Sequence, residues 1–269
     1  MTMNRAIFKN AKLQNNLEDK AYRQADGISQ SELKPMLVSP AHYKQAKEEV
    51  TEETDAMRLG TATHLAAFQL EHFHNEVVMS PKFDKRTKDG KAGWERFQHE
   101  NAGKLCLSED DYSKCIGMSE AVRSIPLFST LTQYGSPEVS IFADYDPVTK
   151  VKGRLDWFND TANFVLDLKT LGKEANEFNI KNTIRDRGYD FQAAYYMQLL
   201  NAVYPDRVFR FIFVFVESSA PHGVRFVEIS PLRLLDKVND IETCLRQLNA
   251  SKASGIWAGY KSEIVTLDI

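Results

Sequence analysis

Asp167 and Lys169 form an Asp-x-Lys pair inside the apolar run Val165-Leu166-Asp167-Leu168-Lys169, eleven positions after Asp156, which closes the run Gly153-Arg154-Leu155-Asp156. Strand side chains alternate between faces, so Asp167 and Lys169 share one face while Phe164, Leu166 and Leu168 take the other and enter a core. Charges inside an apolar run need partners or a metal. Two carboxylates and an ammonium directed at one place suit a divalent cation beside an anionic substrate. Hard oxygen ligands favour Mg²⁺, and the lysine can orient a water or steady a phosphate carrying extra negative charge.

The elements that must place these groups follow from periodicity. Strands are expected at 137–143, 150–158 and 163–169, the first two joined by the turn Asp144-Tyr-Asp-Pro-Val-Thr-Lys150. On the second strand Lys152, Arg154 and Asp156 fall on one face, and Val151, Leu155 and Trp157 on the other. Taken alone, that pattern also describes a half-exposed hairpin strand. A long helix is expected over 188–203, strands over 208–217 and 224–229, and a C-terminal helix through Leu234, Leu235, Val238, Ile241, Leu245 and Leu248. Upstream, Ser29-Gln-Ser-Glu32 fits a capping box, Pro35 breaks the short helix that follows, and Ser39-Pro40 opens another. Residues 55–70 and 109–127 read as helices, and Thr51 to Asp55 as an acidic turn or first helical turn. Residues 1–27 read as a loosely held arm, leaving 28–269 as one domain.

Composition narrows the class. Lys and Arg number 34 against 37 Asp and Glu, a net charge of −3 that neither requires nor excludes a nucleic-acid partner. The apolar share of 43% suffices for a sizeable core. Three scattered cysteines, Cys106, Cys115 and Cys244, argue for a reducing compartment and against a disulfide framework or a four-cysteine metal site. The N-terminus has no apolar signal-peptide region, and no uncharged run reaches ~18 residues, so a soluble cytoplasmic protein is expected.

Other residues carry weaker signals. Glu138 lies on the strand before Asp156, either as a surface carboxylate or as a third acidic group for a second metal or a metal-bound water. Gln192 and Tyr196 share a helix face, where the tyrosine could equally be a core aromatic. His64, on a helix rich in small residues with Gly60 one turn back to permit close packing, reads as structural when taken alone. His72-x-His74 lacks further zinc ligands, and Asp144/Asp146 lacks the glycine and glutamate of a calcium loop. Lys82, Lys85, Arg86, Lys88 and Lys91 form the clearest basic cluster: a solvated loop, or a phosphate-contact surface if a phosphodiester is cut nearby.

As an ordered set, Gly153-Arg-Leu-Asp156, Asp167-Leu-Lys169 and Gln192-Ala-Ala-Tyr-Tyr196, with His64 upstream, resemble the PD-(D/E)xK nuclease superfamily and its RecB-like branch. Ile28-Ser-x-Ser31, Ser39-Pro40-x-x-Tyr43, Gly60-Thr-Ala-Thr-His64, Asp84-Lys-Arg-Thr-Lys-Asp-Gly-Lys91 and Trp257-Ala-Gly-Tyr260 extend the likeness to RecE-type exonucleases, the nuclease domain of exodeoxyribonuclease VIII, over about residues 28 to 260. Pro35 departs from the pattern without touching the chemistry.

The resemblance implies an α/β, restriction-endonuclease-like fold: a mixed central sheet flanked by helices. It implies that His64, Asp156, Asp167 and the Leu168 carbonyl hold Mg²⁺, with Mn²⁺ able to substitute. Lys169 would position the attacking water or stabilise charge, Glu138 would assist through a second ion, and Gln192 and Tyr196 would orient the lysine or touch the strand. DNA contacts would come from Ser39, Lys85, Arg86, Lys88 and Arg154. The implied activity is 5′ to 3′ degradation of linear double-stranded DNA by a ring-shaped homotetramer, leaving 3′ tails for a single-strand annealing protein. The motifs leave two alternatives open: a nuclease of endonucleolytic action or opposite polarity, and a non-catalytic DNA-binding scaffold on the same fold.

Overall fold

A computed structural model describes residues 6–49, 53–84 and 86–266. In chain order these form β1 (Lys9–Gln14), α1 (Asp19–Gln24), α2 (Gln30–Leu33), a 3-10 turn (Lys34–Leu37), α3 (Pro40–Glu48), α4 (Asp55–Phe68), α5 (Leu70–Glu76) and β2 (Val77–Met79). Then come α6 (Lys88–Glu100), β3 (Leu105–Leu107), α7 (Glu109–Arg123), α8 (Pro126–Thr132), β4 (Ser136–Asp144), β5 (Lys150–Asn159) and β6 (Phe164–Leu171). The chain continues through α9 (Glu177–Arg187), α10 (Tyr189–Val203), β7 (Arg210–Glu217), β8 (Val224–Glu228) and α11 (Pro231–Ser254).

Six strands form the main sheet in the order β1-β4-β5-β6-β7-β8. Only β6 and β7 run parallel, and α9 and α10 supply the crossover that a parallel pair needs. Both faces are covered, so β7 is apolar on both. Phe211, Phe213 and Phe215 enter the core under α10 and α11, while Ile212, Val214 and Val216 enter the opposite core with Met118 and Val122 of α7 and Phe128 of α8. The whole of α10 from Asp190 to Leu200 is buried. The expected mixed sheet flanked by helices is therefore present, as is the capping box of Ser29 and Glu32.

Residues 6–27 differ from expectation. β1 pairs along β4 from Lys9↔Asp144 to Gln14↔Ser140, Phe8 is buried, and the Ile7 amide donates to Gln198 Oε1 at 3.0 Å. Farther on, the buried Lys152 ammonium donates to the carbonyls of Tyr22, Arg23 and Ala25 at 3.1, 3.2 and 2.6 Å, satisfying carbonyls at the end of α1. The anchors lie more than a hundred residues away, so no local periodicity announces them. Thr51 lies outside the described residues, while Asp55 opens α4 behind the N-cap Thr54.

Gly153 explains the opening of the Gly153–Asp156 run by packing. A Cβ there would stand 2.5 Å from Leu199 Cδ1 and 2.9 Å from Tyr196 Cε1, so α10 rests directly on bare backbone of β5. Gly60 is different: a Cβ there meets nothing within 4 Å, and the close packing expected of it is not found. Gly153→Ala is expected to destabilise by roughly 1–3 kcal/mol through overpacking, and Gly60→Ala to be neutral or stabilising. Denaturant titration of both variants measures the contrast; an unaffected Gly153→Ala would refute the packing account.

Candidate active site

The β5–β6 ladder is short. It pairs Trp157↔Leu166, Phe158↔Val165 and Asn159↔Phe164, and stops before Asp156 and Asp167, whereas β6 stays paired with β7 from Phe164↔Arg210 to Leu171↔Glu217. The two strands thus part where the acidic residues stand. The Leu168 amide, without a ladder partner on β5, donates to Asp156 Oδ2 at 3.0 Å. Alternation along β5 also breaks at this point: Leu155 enters the core under α10, but Trp157 enters the opposite one. On the neighbouring strand Glu138 lies in the left-handed region with φ of 51°, a conformation that costs free energy for a residue with a side chain.

Side chains from several elements meet at the fork. His64, from α4, places Nδ1 3.0 Å from Asp156 Oδ2. Lys169 Nζ lies 2.5 Å from Asp167 Oδ1, and Gln192 of α10 donates to Asp167 Oδ2 at 2.6 Å. Asp167 is fully buried, and its Oδ1 meets the Lys169 ammonium in a close ion pair. Glu138 pairs with Arg154 at 2.7 Å, and Arg154 also reaches Asp19 of α1 at 2.7 Å and lies over the Tyr22 ring.

Electrostatics separates the carboxylates. Burial, then repulsion by Asp156, pushes Asp167 up to about 6 in spite of Lys169. Burial, then Asp156, pushes Glu138 up to about 7 against Arg154. Burial opposes ionisation of Asp156 as well, but His64, Lys169 and the Leu168 amide hold it below the usual carboxylate range. In turn the Asp156 charge raises His64 against its burial, and Asp167 and Asp156 raise Lys169 against its own. The fork is a cluster of like charges incompletely compensated by one ammonium and one imidazole.

The structure brings together His64, Asp156, Asp167, Leu168, Lys169 and Gln192, with Glu138 electrostatically linked to them. Gln192 holds Asp167 and not the lysine; the aromatic ring beside Lys169 is Tyr189, 5.0 Å from its Nζ. Tyr189 precedes Gln192 by three residues on the same helix face, a spacing from which it could have been found. Tyr196 is buried against Gly153 and Phe211.

The expected DNA contacts are dispersed. Ser39 is buried as the N-cap of α3, its Oγ 2.7 Å from His42 Nδ1. Arg154 is engaged by Glu138 and Asp19. Arg86 is paired with Asp84 through two hydrogen bonds and Lys82 with Glu109, while Lys88 is exposed in the first turn of α6; Lys85 lies outside the described residues. His72 pairs with Glu76 on the surface, apart from the fork.

Among the described residues the donors are partnered two by two, and no three His, Cys, Asp or Glu side chains converge on one point. Their chemistry nevertheless fits a hard divalent cation: carboxylates from two adjacent strands, one of them fully buried, an imidazole and the Leu168 carbonyl. A cation would relieve the repulsion that raises Asp167.

The profile of a family described as a PDDEXK-like domain of unknown function (DUF3799) matches residues 29–266. A sequence search of curated proteins finds no match. Among solved structures, a presumptive exonuclease from Eubacterium rectale superposes with a TM-score of 0.64 at 12% identity, covering 95% of this chain and 97% of that one. A phage-related exonuclease from Haemophilus somnus gives a TM-score of 0.39 at 14% identity, over 86% and 97% of the two chains. At these identities the first likeness bears on the fold alone, and the second is too distant to bear on anything.

Divalent binding is expected to be visible without turnover. Asp167 has a folded-state value near 6, above its ordinary 3.8. The stability it contributes is therefore complete below its unfolded value and is lost as pH rises through about 6. A cation ligated by the charged form reverses that loss, so Mg²⁺ or Mn²⁺ should raise Tm at pH 8 and markedly less at pH 5. Asp167→Ala should abolish the shift. Equal shifts at both pH values, or in the variant, would refute ligation by Asp167.

Proposed function

The chain belongs to this PDDEXK-like family, and from that premise we propose that it is a divalent-metal-dependent nuclease, specifically an exonuclease that degrades linear double-stranded DNA from 5′ to 3′. The observation that carries the reading is the meeting of Asp156, Asp167 and Lys169 where β5 and β6 part, backed by His64. A degenerate scaffold on this fold has no need to bury two repelling carboxylates, which cost stability unless something binds them.

His64, Asp156, Asp167 and the Leu168 carbonyl would hold the ion. Bound there, a divalent cation supplies Lewis acidity toward a phosphoryl oxygen and lowers the pKa of a coordinated water. The chain does the rest. The Leu168 amide and Gln192 fix one oxygen each of Asp156 and Asp167, so both carboxylates are oriented before substrate arrives. Lys169, held by Asp167 through one of its three donors, would direct the others at negative charge developing on the phosphate or position the water. Glu138 is held by Arg154 close enough to the Asp156 carboxylate to feel its charge, where it can accept a proton or hold a water. The 5′ to 3′ polarity, the 3′ tails destined for annealing, the annealing partner and the ring tetramer are taken from the motif resemblance to RecE-type enzymes and complete the proposal.

Duplexes labelled at the 5′ or the 3′ end, with a closed circle as control, test it. The expected result is chelator-sensitive loss of the 5′ label, survival of the complementary 3′-ended strand and an intact circle. Asp156→Ala, Asp167→Ala and Lys169→Ala should each lower the rate by at least about 10²-fold while remaining folded. Full turnover by Asp167→Ala would sink the site assignment; cutting of the circle would sink the exonuclease.

Assembly is tested separately by light scattering. A tetramer in solution is expected, and a stable monomer that still degrades long DNA processively is incompatible with the ring.

A further inference from the structure

Lys169 is not the only ammonium directed at this region. Lys34, at the junction of α2 and the 3-10 turn, lies with its stem against Gly188, where an added Cβ would stand 3.5 Å from Lys34 Cε and 3.7 Å from Cδ. Its Nζ donates to the Arg187 carbonyl at 2.9 Å and lies 5.7 Å from the centre of the Tyr189 ring. Lys169 Nζ lies 5.0 Å from the centre of the same ring. One tyrosine therefore has two lysines beside it, one from the catalytic strand and one from a segment 135 residues earlier.

Two observations separate Lys34 from an ordinary surface lysine. Among the described residues it forms no ion pair with any carboxylate, and a single carbonyl uses one of its three donors. It is also half-buried: loss of solvent, then the Lys169 charge, pushes it down to about 8, with only a partial offset from Asp167 and Asp190. Capping the C-terminus of α9 accounts for the contact with Arg187. It does not account for placing a second ammonium beside the same ring as Lys169, whose charge repels it. That arrangement is costly in the free protein and becomes favourable when an anion with several oxygens lies between or beside the two ammonium groups. Arg187, exposed at the end of α9, extends the positive surface outward from Lys34.

We propose that Lys34 and Lys169 form a two-ammonium receptor beside the Tyr189 ring, in which Lys34 binds a non-scissile phosphate of the strand in the site while Lys169 serves the scissile one. This assignment rests on the nuclease reading and adds to it a substrate-positioning residue. By fixing the neighbouring phosphate, Lys34 sets the register of the backbone over the carboxylate fork.

The test uses the full chain and a short fluorescent duplex, with binding measured in EDTA over a salt series and cleavage measured separately with Mg²⁺. Lys34→Met should flatten the slope of log K against log salt by about one. It should also raise KM about tenfold with a smaller change in kcat. Lys34→Arg should retain the wild-type slope. Loss of a helix cap lowers Tm but does not move a salt slope, so the slope distinguishes the two roles. Should Lys34→Met fail to fold, Lys34→Gln, which keeps a donor for the Arg187 carbonyl, carries the same expectation. A folded Lys34→Met or Lys34→Gln protein with wild-type slope and KM overturns the proposal and leaves the nuclease reading standing. A wild-type chain that neither binds nor cuts the duplex overturns the nuclease reading, and this proposal with it.

Discussion

Asp156 and Asp167 are carried by neighbouring strands to one place, Asp167 fully buried and Asp156 nearly so, and their mutual repulsion is the constraint around which the site is arranged. Separation of β5 from β6 gives the carboxylates room. The amide freed by that separation is taken up by Asp156 itself, so the backbone polar group is satisfied and the carboxylate held by one contact. His64 then meets Asp156 and Lys169 meets Asp167. Burial first, and then the Asp156 charge, keep Asp167 and Glu138 raised. A site arranged in this way is an unfavourable structure in isolation and a favourable one around a cation, which is how binding sites commonly trade stability for function.

Holding such a fork open requires rigid surroundings. The parallel β6–β7 pairing fixes the catalytic strand along its whole length. Gly153 lets α10 sit close enough for Gln192 to reach Asp167. At its N-terminus α10 is secured by the buried Asp190, which Arg233 of α11 meets at 2.7 Å through one nitrogen and 2.8 Å through another. Lys152 and Arg154, adjacent to the catalytic end of β5, are occupied in holding α1 against the sheet. Several charged residues of the Gly153–Asp156 region are thus structural, which a charge count along the strand does not reveal.

Much of this was legible in the sequence. Alternation and helical spacing located β4 through β8 and the long helices, because those elements bury one or two continuous faces. The Asp-x-Lys pair stood out because charges interrupt an otherwise apolar strand. Other features were hidden for physical reasons. β1 and α1 are short and polar, and depend on Gln198 and Lys152, so their stability is wholly tertiary. The break in alternation at Asp156 depends on strand separation, which no period encodes. Lys34 and Tyr189 look ordinary locally and become significant only where α2, β6 and α10 meet. The basic cluster near residue 86 was conspicuous in sequence, yet two of its charges are taken up by Asp84 and Glu109.

The parallel pairing of β6 with β7 also has a consequence for synthesis. Asp167 lies opposite Phe213 and Lys169 opposite Phe215, with two helices intervening in the chain. A ribosome that has just released Lys169 has made every proposed metal ligand, but not the strand that buries and aligns two of them. The fork takes shape only after residues through Glu217 have emerged and the crossover has closed, a non-local step that chain topology makes slow. An elongating chain therefore passes through a long interval in which its acidic and basic groups are solvated and unorganised. The proposed chemistry is withheld, by connectivity alone, from a polypeptide that is still being made.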